Sequence, residues 1–157
     1  MSRPAPCPCG SSTPYESCCG VYHRGEREAP DAPTLMRSRY AAYARRDVDY
    51  IARTYHPDHP DLKRPSKAFR ASIRGAVEKY RYMGLSVLDQ TPPDDQGVAR
   101  VLFLARVFRN GNDYSFVECS EFVRDESGWR YLAGHPVEVK SLREPAESLT
   151  IARFASL

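Results

Sequence analysis

A chain of 157 residues with 41% hydrophobic content can build one ordinary core but not two large ones, so one domain with an appendage is expected. No run approaches the roughly eighteen apolar residues of a membrane span, and Met1-Ser2-Arg3-Pro4-Ala5-Pro6 carries no apolar export segment, so a protein of the cytoplasm is expected. A net charge of +3 with no concentrated basic stripe argues against nucleic acid as partner.

Four of the five cysteines fall in Cys7-Pro8-Cys9-Gly10-Ser11-Ser12-Thr13-Pro14-Tyr15-Glu16-Ser17-Cys18-Cys19-Gly20. A C-x-C pair and a vicinal pair joined by a short loop bring four soft sulfurs together, which suits tetrahedral zinc. Disulfides would need an oxidising compartment, and a redox pair would need a C-x-x-C opening a helix. Four thiolates close the metal's sphere, and closed sites are structural. His23 is the alternative ligand in place of one vicinal cysteine. Gly10 and Gly20 are expected to take positive φ and turn the sulfurs inward. Residues 1–30 hold little apolar material beyond Tyr15, Val21 and Tyr22, so bound metal is expected to supply their folding energy. Tyr15 and Tyr22 are expected to pack beside the loop. The polar stretch from Arg24 to Pro30 reads as a linker.

Asp31-Ala32-Pro33 signals a helix start, and the helix should reach about Arg46 with Met36, Tyr40 and Tyr43 on one face. Asp47 can cap a second, short helix carrying Val48, Ile51, Ala52 and Tyr55, ended by Pro57. His56 then sits at its C-terminus, favoured there by the helix dipole when protonated, or else lines a pocket. Ser66 is expected to cap a third helix with Phe69, Ile73, Val77 and Tyr80 on its buried face. Lys67, Arg70 and Arg74 form a neighbouring basic strip, read as solvated. Gly84 is expected to close the helical region.

From Leu85 the periodicity changes. Apolar or alternating stretches at 85–89, 98–108, 114–123 and 129–133 are separated by Pro92-Pro93-Asp94-Asp95, Asn110-Gly111-Asn112 and Asp125-Glu126-Ser127-Gly128. Four antiparallel strands in a meander are expected, with a short further strand at 137–140 and a tail at 141–157 that forms a helix or frays. Helices followed by a meander make an α+β fold with the helices gathered on one face of the sheet. The predicted organisation is a metal-binding element and linker at 1–30, the α+β domain at 31–140 and the tail.

The cysteine loop resembles a SEC-C motif, the zinc-binding element found at the C-terminus of the preprotein translocase ATPase. Leu35-Met36-Arg37-Ser38-Arg39-Tyr40-Ala41-Ala42-Tyr43, Asp49-Tyr50-Ile51-Ala52-Arg53-Thr54-Tyr55-His56-Pro57, Glu118-Cys119-Ser120-Glu121-Phe122-Val123-Arg124 and Gly128-Trp129-Arg130-Tyr131 are similar to signature segments of the YchJ-like family of bacterial proteins. The resemblance implies a SEC-C element with Cys7, Cys9, Cys18 and Cys19 as ligands, followed by a nuclear transport factor 2-like (cystatin-like) domain. In that fold a cone-like curved sheet wraps the helices and leaves a pocket. Family members tend to read His-Glu-Arg-Ser-x-Phe where this chain has Val117, Glu118, Cys119, Ser120, then Phe122, so chemistry resting on that His or Arg is in doubt here.

With period two, Tyr114, Phe116, Glu118, Ser120 and Phe122 share one strand face, and Ser115, Val117, Cys119, Glu121 and Val123 the other. If the first set faces inward, burial raises the Glu118 pKa and suits it to acid–base work; if outward, Glu118 is an ordinary surface group. Arg37, Arg39, His56, Glu118 and Trp129 are the candidate cavity residues. Arg37 or Arg39 paired with Glu118 as a structural salt bridge is the expected arrangement. Cys119 reads as a small buried side chain.

Two functions follow. One is a zinc-containing adaptor, non-enzymatic, whose metal element captures a protein partner and whose cone offers a ligand pocket. The other is a small-molecule isomerase, dehydratase or hydrolase using Glu118. Nucleic-acid binding through the basic strip has the least support.

Overall fold

The computed structural model describes residues 4–157. A short helix α1 (Cys19–His23) closes the cysteine loop. Helix α2 (Ala32–Arg45) starts as the sequence signals: the Asp31 carboxylate accepts a hydrogen bond from the Thr34 amide at 2.8 Å, and Pro33 occupies the first turn. Asp47 does the same for α3 (Val48–Arg53), accepting from the Tyr50 amide at 3.1 Å. Helix α4 (Ser66–Lys79) begins differently from expectation. Pro65 is its capping residue, Ser66 is already helical, and no side chain caps this end. Phe69, Ile73 and Val77 bury against Ala42, Tyr50 and Ile51, while Tyr80 lies beyond the helix in extended conformation.

Strands β1 (Arg81–Thr91), β2 (Ala99–Arg109), β3 (Asn112–Asp113), β4 (Phe116–Asp125) and β5 (Gly128–Glu138) form one antiparallel sheet in the order β1-β2-β4-β5, with β3 paired to β2. The four-stranded meander is therefore present, with longer strands than the apolar runs indicate. Gly84 does not close the helical region: it lies inside β1, next to a bulge at Met83, whose side chain is 64% exposed. A second bulge falls at Leu88, and such insertions bend a strand. No separate strand forms at 137–140. Strand β5 instead runs through Pro136, which an edge strand tolerates, and ends in a 3-10 turn at Val139–Ser141.

Curvature gives the sheet a concave face, on which Met36 and Tyr40 of α2 pack against Val101, Phe103, Ala105, Phe122 and Trp129. The convex face is covered too. After a 3-10 turn at Ala146–Ser148, the tail forms helix α5 (Ile151–Ala155), and Ala146 and Leu149 bury against Leu102, Leu104 and Val117. Asp89 of β1 accepts from the Ile151 amide at 2.8 Å, which fixes where α5 starts. Of the two outcomes expected for the tail, the ordered one is found. No helix among the described residues is long and apolar enough to cross a membrane.

Candidate functional site

The cysteine loop closes through its backbone. The Cys7 amide donates to the Thr13 carbonyl at 2.8 Å and the Tyr15 amide to the Ala5 carbonyl at 3.0 Å, pairing Pro6 with Pro14. Gly10 takes φ +85°, as expected of a residue that must turn the chain left-handed. Gly20 does not: it lies within α1, and its missing side chain matters for space, because a Cβ there would sit 2.7 Å from the Tyr15 carbonyl oxygen.

This frame brings the Sγ atoms of Cys7, Cys9, Cys18 and Cys19 within 4.8 Å of one another, with Cys9 and Cys18 at 3.7 Å. Metal–sulfur bonds of about 2.3 Å in a tetrahedron give sulfur–sulfur edges of about 3.8 Å, so the four fit one ion. All are free thiols. Left alone, they cannot all ionise. A hydrogen bond from Cys19 draws the Cys9 pKa down to about 4, the same contact together with burial pushes Cys19 far up, and burial pushes Cys7 up to about 11. A divalent cation removes that conflict, because a coordinating thiol is deprotonated outright. The four cysteines could thus hold a metal ion. His23 stands outside the cluster, with both ring nitrogens engaged. Tyr15 donates to Nδ1 at 2.6 Å, and Nε2 donates to the Ser38 carbonyl at 2.8 Å. Burial lowers its pKa, in keeping with a neutral ring.

The element is docked as well as closed. Cys7, Cys9 and Cys19 cover the buried Ala41 of α2, the Arg45 guanidinium lies 3.7 Å from the centre of the Tyr15 ring, and Tyr22 packs on the cluster shared by α3 and α4. The polar stretch after it is anchored at its end, where Trp129 Nε1 donates to the Pro30 carbonyl at 3.3 Å and Arg130 pairs with Glu28 at 3.1 Å.

The second candidate lies under α2, where a cavity of about 190 Å³ opens on the concave face. Strand β4 turns Phe116, Glu118, Ser120 and Phe122 toward it, while Val117 and Cys119 point to the convex side under the tail. Burial pushes the Cys119 thiol up, the state of an inert cysteine. One Glu118 oxygen, Oε2, accepts both from the Ser120 hydroxyl at 2.5 Å and from the Tyr131 hydroxyl at 3.2 Å. Desolvation raises the Glu118 pKa above the ordinary carboxylate value, against the pull of those two donors and of Arg39.

The expected salt bridge is absent, for a geometric reason. Arg39 Nη1 donates to the Ile51 carbonyl at 2.9 Å and to Thr54 Oγ1 at 2.5 Å, and its guanidinium lies 4.6 Å from the centres of both the Tyr55 and Tyr131 rings. The arginine is clamped by α3 and by aromatic faces instead of by Glu118. Arg37, two residues earlier, points away and donates to the Cys9 carbonyl at 2.9 Å. His56 and Trp129 do not line the cavity either. His56 lies in the segment after α3, where its Nδ1 accepts from the Asp58 amide at 3.1 Å, and the Trp129 ring packs beneath Pro30. Of the five candidates, Arg39 and Glu118 share the cavity.

Sequence reasoning missed Tyr55, Tyr82 and Tyr131 as cavity walls, and Gly134 as their spacer. A bulge at Leu132 pairs Phe122 with Tyr131, which puts Tyr131 on the concave face. The Thr54 carbonyl accepts from the Tyr131 amide at 2.8 Å and the Tyr131 carbonyl from the His56 amide at 2.8 Å, so the segment after α3 covers this edge of the sheet. A Cβ on Gly134 would collide with both the Tyr131 hydroxyl and the Glu118 carboxylate. A glycine opposite Ser120 is the signal that a close approach occurs there.

Residues 31–134 match the family described as YchJ, middle NTF2-like domain. The chain is similar to a SEC-C motif containing protein from Rhodopseudomonas palustris, whose solution structure it matches at 34% identity and TM-score 0.72 over 85% of this chain and 100% of that one. It is also similar to a SEC-C motif containing protein from Psychrobacter arcticus in its crystal structure, at 28% identity and TM-score 0.68 over 82% of this chain and 80% of that one. The helices, the curved antiparallel sheet and the cysteine cluster agree with both the fold and the motif. The chain therefore belongs to the YchJ family, with its NTF2-like domain over residues 31–134 and a SEC-C cysteine cluster ahead of it.

Proposed function

We propose that this is a zinc-stapled binding protein whose cone holds a small molecule, with Glu118 as the polar group that meets it. Support for the pocket comes from one observation above all: Glu118 faces an aromatic-lined cavity with two hydroxyls on one carboxylate oxygen. Support for zinc comes from the all-sulfur cluster and the SEC-C relatives. The ion is structural in this reading. It holds residues 7–19 on α2, the helix that carries Arg39 into the cavity. The purified full chain should carry one zinc, and chelation should open the N-terminal element to protease.

Binding is tested by ligand-observed NMR with small ring compounds. Hits should vanish in Ala105→Leu, which fills the cavity wall from β2, while zinc content and the amide spectrum of the SEC-C element persist. Hits that bind that variant as well as the parent would refute the pocket.

An acid–base enzyme is the second reading, favoured by the raised pKa of Glu118 and the Tyr131 hydroxyl within hydrogen-bond reach. A protein partner for the SEC-C element would meet its outer loop, where Gly10 through Pro14 are exposed. Capture of such a partner should distinguish the parent chain from Cys18→Ser and Cys19→Ser variants.

A further inference from the structure

The cavity contains a fixed positive charge and, among the described residues, no carboxylate in ion-pairing contact with it. Arg39 is 6% exposed and lines the space, yet only its Nη1 is engaged, by the Ile51 carbonyl and Thr54. Nε and Nη2 donate to nothing among the described residues. Neither is sealed off, since the Tyr40 hydroxyl is the buried side-chain polar atom left without a partner there. Free guanidinium donors on so deeply buried a residue open onto the cavity. The Tyr55 and Tyr131 ring centres each lie 4.6 Å from the guanidinium carbon and 5.4 Å from one another, so both rings approach from one side, while Nε and Nη2, a donor pair that takes a carboxylate bidentately, keep no partner among the described residues.

Glu118 is held by hydroxyls and not by this guanidinium. It forms no ion pair with Arg39, and burial favours its neutral form. The remaining walls are rings and small apolar groups, among them Tyr43, Phe103 and Phe116. Size sets a further bound. A cavity of roughly 150 Å³ admits benzene, and the present 190 Å³ adds room for one small substituent.

We propose that the cavity takes a small ring-bearing monocarboxylate of about benzoate size, with the carboxylate on the free edge of Arg39 and the ring among the aromatic walls. This rests on the pocket reading above and adds the charge and class of the ligand. A buried guanidinium with no carboxylate in direct contact is costly, and an anionic guest relieves that cost where a neutral one cannot.

The test titrates the isotope-labelled, zinc-loaded full chain with sodium benzoate and, separately, with benzyl alcohol, a neutral ring of nearly the same size. Benzoate should bind at least tenfold more tightly and shift the amides around Arg39, Glu118 and Tyr131. Arg39→Met should remove that preference. Because Arg39 also ties down Ile51 and Thr54, Arg39→Lys serves as the companion that keeps the charge but not the planar edge, and it should retain part of the preference. Equal affinity of the parent chain for the two compounds, or a preference undiminished in Arg39→Met, would overturn the carboxylate assignment and leave the pocket standing. Failure of both compounds to bind would overturn the assignment and count against the pocket itself.

Discussion

Arg37 donates from Nη1 to the carbonyl oxygen of Cys9 at 2.9 Å, so a helix of the cone domain holds the backbone of the cysteine loop from outside. That loop has a guanidinium on its backbone, and its four sulfurs could hold a metal ion as a second support. Hydrogen bonds to charged groups contribute about 1.5–3 kcal/mol. Arg37→Ala should leave the four sulfurs in place but loosen the frame, so zinc loss to a chelator should speed up several-fold. Release kinetics followed with a chromophoric chelator measure this. An unchanged rate would mean that the metal alone sets the loop.

Two helical glycines should respond in opposite directions to the same substitution. Gly20→Ala forces a Cβ to 2.7 Å from the Tyr15 carbonyl, a backbone atom that cannot swing aside. Overpacking of this kind costs about 1–3 kcal/mol, and it should appear as weaker zinc retention. Gly75 lies in α4 with nothing within 4 Å of its Cβ position, so Gly75→Ala should stabilise by about 0.4–1 kcal/mol through the unfolded chain. Chemical denaturation of both variants decides the signs.

What the sequence made legible follows from how local each signal is. Asp31 and Asp47 act on amides three residues away, so both helix starts could be read directly. The cysteine cluster was legible because its four residues occupy one short stretch. The cavity was harder. Alternation along β4 correctly grouped Glu118 with Phe116, Ser120 and Phe122 but could not say which face was concave. Bulges at Met83, Leu88 and Leu132 shift side-chain parity, and no composition signal marks them. Arg37 and Arg39 looked equivalent as partners for Glu118. Their helical positions, separated by about 200°, send one to the cysteine loop and the other to the rings of Tyr55 and Tyr131.

The tail contributes to the fold of the sheet it covers. Leu149 is fully buried against the convex face with Leu102 and Val117. Leu149→Ala should cost about 2–5 kcal/mol. Because Asp89 ties α5 to β1, hydrogen exchange should also quicken in β1 and β2 and change little in the SEC-C element. If only the residues of the tail exchanged faster, the tail would be an independent appendage.

Glu118 should give the protein a pH dependence that a single substitution removes. The fold prefers its neutral form: burial raises the pKa above 4.5, and the hydroxyls of Ser120 and Tyr131, with the charge of Arg39 and the nearby His135, only partly offset this. For a carboxyl whose folded pKa is raised, the stabilising contribution is complete below the unfolded value. It is lost as pH rises through the folded value, because the unfolded chain ionises first. Wild-type stability should therefore fall over that window by this contribution. Glu118→Gln keeps a carbonyl oxygen to accept from Ser120 and Tyr131 and has no proton to lose. Relative to wild type the variant should gain stability as pH rises above the ordinary carboxylate value and through the raised folded one, then hold a constant advantage. Other titrating groups, including His23 and His59, are common to both proteins and cancel in the difference. Urea denaturation of the pair across that range reads the effect. A difference independent of pH would mean that Glu118 has the same pKa folded and unfolded, and that the cavity's positive charge is already matched by a carboxylate.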